Sequence, residues 1–184
     1  MLQEVESFFW SHFTDTYLEL AKLRARDERP EAAMARGSAV ATLRLGLDVL
    51  LRLFAPFLPF ISEEVWSWAF AAEKGQPSVH AAPWPDERDF AGVAEPAAPE
   101  SFDLAVACWN AILKAKADAA VSMGREVERL TIAANAKTLA TLRGVAADVL
   151  AAARCRAHSL SGDDALADGE LAIRDAVFAE RAEE

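Results

Sequence analysis

The side chains able to do chemistry are few, and their spacing does not bring them together. His12, His80 and His158 fall in three different segments, so no two of them pair as metal ligands. His12 and Thr16 stand four apart on one helical pattern, where a solvated histidine is the simpler reading. Glu63 and Glu64 are adjacent, so on a helix they point about 100° apart and cannot share a proton. They suit the positive first turn of a helix instead. Asp163 and Asp164 follow Ser161-Gly162 and suit a turn. Cys108 and Cys155 read as buried thiols; two cysteines are too few for a disulfide framework, which implies a reducing cytoplasm. There is no Gly-rich phosphate loop and no G-x-S-x-G elbow. The expectation is a chain with no catalytic residue, no metal ligand and no cofactor site.

What remains is cationic surface. Lys22, Arg24 and Arg26 follow an aromatic-rich stretch, with Arg29 just beyond. Arg44 and Arg52 sit on the polar side of a second helical pattern, and Lys114 and Lys116 in a later one. Such groups bind phosphate, releasing counterions, so any contact they make is salt-dependent. The net charge of −10 argues against a generic nucleic-acid coat protein. The acid is densest between Gly75 and Glu100, however, so either flank could present a basic surface. The simpler alternative is a set of solvated helix faces.

The elements that must position these groups are mostly helical. The 184 residues are 53% apolar and 26% charged, a balance that supports a soluble folded protein. No secretory signal and no membrane-length apolar run are present. Leu2, Val5, Phe9, Phe13, Tyr17 and Leu20 form one stripe of a helix over 2–26, with Phe8 and Trp10 widening it. A second helix is expected after Gly37, capped by Ser38, with Val40, Leu43, Leu47, Leu50, Leu51 and Phe54 buried and Pro56 ending it. A third is expected from Ser62, with Ile61 and Trp66 as a hydrophobic staple. Prolines and acids mark 75–101 as a connector between a helical domain (1–74) and a small α+β domain (102–184). In that second part the pattern predicts a helix from Ser101 to about Met123 and a strand from Val127 to Ala134. It continues with a helix through Leu139, Leu142, Ala146 and Leu150, a strand at 155–160 and a last strand at 170–179.

Three passages carry a family resemblance. Phe8–Glu28, "FFWSHFTDTYLELAKLRARDE", contains Tyr17, Leu18, Glu19, Lys22 and Arg24 in a Tyr-Leu-Glu-x-x-Lys-x-Arg pattern. Pro56–Trp66 is a Pro-Phe-x-Pro-Phe-Ile-Ser-Glu-Glu-x-Trp corner, followed by Ser78, Trp84 and Pro85. Both resemble the anticodon-binding helical domain of class I aminoacyl-tRNA synthetases, nearest the valyl, isoleucyl and leucyl group. Ile112–Ile132 is similar to the C-terminal α+β region of the valyl enzymes. The resemblance implies a mainly α chain, a helical bundle followed by a small α+β domain. It implies binding to the anticodon stem-loop of tRNA and attachment to the remainder of a synthetase, with no DNA or membrane partner. Among the cations read above, the expected backbone contacts are Lys22, Arg24, Arg26, Lys114 and Lys116, with Arg44 and Arg52 weaker because acids could claim them. The parent reaction, ATP-dependent charging of tRNA with valine, would need a nucleotide-binding fold whose signatures are not in this sequence. The choice of valine over isoleucine stays open at this point. A protein-interaction module derived from a synthetase is the rival reading, and an enzyme of unrelated type the weaker one.

Overall fold

The computed structural model describes residues 2–180. They form two compact units that meet in the sequence at Ala94 and Glu95. The first is helical and the second is a three-stranded mixed sheet with helices, so the chain is mainly α with a small α+β part, as expected.

The first helical run is continuous but not uniform. Helix α1 (Leu2–Ser7) passes into a π-helical segment (Phe8–Leu18) and then into α2 (Glu19–Ala25). In the middle segment Thr14 Oγ1 donates to Phe9 O at 2.6 Å and Thr16 Oγ1 to Ser11 O at 2.7 Å, each five residues back. That matches the wider i→i+5 turn, which is usually a single-turn bulge. The expected inner stripe keeps its place, from Leu2 through Phe13 to the buried Leu20. Phe8 and Trp10 do not widen it; both are exposed, and Phe8 lies parallel to the His12 ring.

Helix α3 spans Ala33–Phe54 and starts earlier than the Ser38 cap suggested. A 3-10 turn beginning at Pro30 leads into it, and proline's fixed φ and missing N–H suit a helix start. Gly37 and Ser38 are therefore interior. The buried face runs through Ala39, Asp48, Leu50 and Leu51, while Val40 and Leu47 are exposed against expectation. Gly46 has a specific task. A Cβ there would lie 2.5 Å from Phe13 Cε2, so the bare backbone lets the Phe13 ring lie against α3. Glycine inside a helix ordinarily costs about 1 kcal/mol against alanine. Here Gly46→Ala is expected to reverse that sign and destabilise by about 1–2 kcal/mol through overpacking, read as a lower urea midpoint.

Helix α4 (Pro59–Ala69) begins at Pro59, not Ser62, and Ser62 is buried in its second turn. Ile61 and Trp66 fall on opposite faces, Ile61 outward and Trp66 inward, so the expected staple does not form. The short α5 (Ala71–Lys74) ends at Gly75, whose φ of 62° is the left-handed geometry of a helix C-terminus. Trp66 and Phe70 pack with Leu51, Ala55 and Val79 to make the core. The Pro-rich stretch is held to these helices at several points. Trp66 Nε1 donates to Gln76 O at 2.8 Å. Glu63 Oε2 accepts from Ser78 Oγ and from Val79 N, both at 2.9 Å.

In the second unit α6 (Ser101–Asp118) stops short of the expected Met123. Its inner face holds Leu104, Ala105, Cys108 and Ile112. Strand β1 (Val127–Ala134) keeps its predicted bounds, with Leu130 and Ile132 buried and Arg129 exposed on the opposite side. The expected single helix is two, α7 (Ala136–Arg143) and α8 (Ala146–Ala152), broken at Gly144. Asn135 caps α7 by accepting from Thr138 N at 2.9 Å. They return the chain to β2 (Cys155–Gly162), parallel to β1, and β3 (Ala172–Phe178) pairs antiparallel on β1's other side. Asp175, at φ 52°, sits where β3 carries an extra residue against β1.

Candidate nucleic-acid interface

The C-terminal end of α2 gathers cations where the helix dipole is negative. Lys22 reaches the Glu19 carboxylate one turn back and stays part-exposed. Arg24 is half-buried, and Arg26, at the helix cap, is exposed. Arg29 holds Asp27 bidentately, Nε to Oδ1 at 2.9 Å and Nη2 to Oδ2 at 2.6 Å. Those bonds pull the Asp27 carboxyl down to about 2, with Arg36 adding a weaker pull. Arg36, which precedes the helix expected after Gly37, lies on α3 and is exposed beside this group.

The remaining expected contacts divide sharply by burial. Arg44 is exposed but engaged, its Nη2 2.6 Å from Glu73 Oε2 and 3.1 Å from Ala69 O. Its guanidinium also lies 5.0 Å over the Phe70 ring. Arg52 corrects the expectation outright. It is 5% exposed, with Nη2 at 2.8 Å from Asp48 and 2.9 Å from Asp89, and Nη1 donating to Pro83 O. A guanidinium so placed ties the Pro-rich stretch to α3 and has no reach to a phosphate. Lys74 adds a second cation on Asp48 at 2.7 Å.

Lys114 and Lys116 part in the same way. Two residues along a helix is about 200° around it, so one faces out and the other in. Lys114 is exposed. Lys116 is 1% exposed, and its Nζ donates to Met123 O and Ala153 O, both at 2.9 Å. Burial lowers its pKa, with Arg154 nearby acting in the same direction. Lys116 pins the loop after α6 to the end of α8 and, like Arg52, is turned away from solvent, against the expected phosphate contact. Arg143, not named from sequence, is exposed at the end of α7.

Cys108 is fully buried, which pushes its thiol up to about 12. Among the described residues, no three His, Cys, Asp or Glu side chains converge as metal ligands. Nor is any helix among them long and apolar enough to cross a membrane.

Residues 1–132 match the anticodon-binding domain of tRNA ligases. The chain belongs to that family. The match spans the helical unit and runs through α6 into β1. Within it, the Glu63–Ser78 and Trp66–Gln76 bonds fasten the following loop to the Pro56–Trp66 corner. The chain is also similar to valine–tRNA ligases. It is 46% identical to that of Thermobifida fusca over 132 residues, 71% of this chain and 14% of the relative. It is 41% identical to that of Salinispora arenicola over 166 residues, 82% of this chain and 18% of the relative. Over 183 residues it is 35% identical to that of Leifsonia xyli subsp. xyli, all of this chain and 20% of the relative. The chain therefore spans a fifth or less of the length of these relatives.

Proposed function

We propose that these residues form the tRNA-binding end of a valine–tRNA ligase, with the helical unit taking the anticodon stem-loop. The single observation that carries this reading is the family match laid over a helical unit whose α2 terminus gathers Lys22, Arg24 and the exposed Arg26. RNA readers of this kind fix the backbone with cations while loop bases are splayed and read individually. Arg36 joins the group; Arg44 and Lys114 are further contacts, and Arg52 and Lys116 are not. Charging of tRNA with valine, and the ATP it consumes, belongs to the rest of such a ligase, acting in the cytoplasm. The role of the present residues is to bind and position.

The test is filter binding of a valine tRNA transcript at 50 and 200 mM salt. With about four phosphate contacts, affinity should fall roughly a hundredfold across that range. Arg26→Ala should weaken binding and flatten the salt slope by about one phosphate. Salt-insensitive binding, or none at low salt, would end this reading.

A further inference from the structure

The outer face of α4 is apolar where a helix on a free-standing unit would be polar. Phe60 is 89% exposed, Trp68 72% and Ile61 56%, with Phe57 and Leu58 exposed just before the helix. At 100° per residue, Phe60, Ile61, Glu64, Ser67 and Trp68 share an arc of about 120°, opposite the buried Trp66 and Phe70. Apolar side chains on a monomer's surface are normally scattered singly; a contiguous set marks an interaction site.

Glu64 decides what kind of partner fits. It is the one ionised side chain in this arc, and its Oε1 accepts from Trp68 Nε1 at 3.2 Å, which holds the carboxylate within the stripe. The neighbouring Glu63 is turned away to Ser78 and Val79. A second copy of this chain pairing α4 with α4 about a two-fold axis centred on the stripe would set Glu64 against Glu64 in desolvated surroundings. The net charge of −10 adds repulsion between copies. A helix with a cation facing Glu64, flanked by apolar side chains, satisfies both the stripe and the carboxylate.

We propose that this face seats one amphipathic helix from outside these 184 residues, apolar at three- and four-residue steps and carrying Lys or Arg opposite Glu64. This goes beyond the RNA reading and does not depend on it. The probe is a pair of labelled 18-residue helical peptides with the same Leu stripe, one with Lys and one with Glu at its centre. Fluorescence anisotropy against the full chain should show the Lys peptide binding about tenfold tighter, in the range of one close charge pair. Glu64→Lys should reverse that preference, and Phe60→Ser with Trp68→Ser should abolish both, with the circular dichroism melt unchanged. Equal binding of the two peptides regardless of residue 64, or no binding of either, overturns the proposal. So does a monomer–dimer equilibrium in sedimentation that Phe60→Ser removes, which would make a second copy the occupant. Displacement of the peptide by tRNA would assign the face to RNA and overturn it as well.

Discussion

Arg52→Ala will destabilise the helical unit by about 3 kcal/mol or more, read as a lower urea midpoint at pH 7, while a buried apolar replacement of the whole pair will recover part of that loss. Arg52 and Asp48 are both almost fully buried, and each is the other's near neighbour at 2.8 Å. Removing one member of such a pair leaves a charge in a poorly solvated place, which typically costs 3–5 kcal/mol. Lys74 remains on Asp48 and softens the loss, which sets the expectation at the lower end. In Arg52→Met combined with Asp48→Leu the two most deeply buried charges leave together, and only the part-exposed Asp89 and Lys74 lose a partner, so stability should return part of the way toward the parent value. If Arg52→Ala alone changes the midpoint by less than the equivalent of 1 kcal/mol, the network is not what holds the Pro-rich stretch.

The same network predicts an acid response. The hydrogen bond from Arg52 holds the Asp89 carboxyl below its usual value. A carboxyl lowered by folding contributes stability above its unfolded pKa, near 3.8, and loses that contribution as pH falls through the lower folded value. The difference between parent and Arg52→Ala should therefore be full at pH 7 and shrink below pH 4.

The second large effect is expected at Trp66. Trp66→Ala should cost about 3–5 kcal/mol, because the ring is among the largest fully buried side chains and its removal opens a cavity among Leu51, Ala55, Phe70 and Val79. Trp66→Phe separates the two parts of that cost. It keeps most of the packing but strips the donor from Gln76 O, which should take about 1–2 kcal/mol. Amide exchange at Val79, whose N–H is bound by Glu63, should accelerate in Trp66→Ala as the loop loosens. Unchanged exchange there would show that the loop is held by Glu63 and Arg52 without the tryptophan.

Local signals carried much of this architecture. The alternation across Val127–Ala134 placed β1 because Leu130 and Ile132 must face the helices and Arg129 must not. The inner stripe from Leu2 to Leu20 was legible for the same reason. Signals that looked local but were decided elsewhere misled. Ser38 and Ser62 have the chemistry of helix caps, yet Pro30 and Pro59 start the helices upstream and leave both serines inside. The candidate interface was legible as composition and not as geometry. Lys114 and Lys116 look alike two residues apart, and only helix phase separates the exposed one from the buried one. Arg52 was drawn inward by Asp89, 37 positions away, a pairing no periodicity encodes.

The π-helical run from Phe8 to Leu18 bears on how this helix tolerates change in length. An i→i+5 ladder uses one residue more per turn than an α-helix, so about two and a half turns store roughly two surplus residues. Removing two residues from this stretch would let it rewind as α-helix with α1 and α2 still in phase, the aromatic side still facing α3. A deletion of that size elsewhere in an ordinary helix would swing one flank through about 200° and pull its apolar side into water. This segment thus acts as a slack reservoir, through which the chain can shorten without losing the alignment of the cations at its far end.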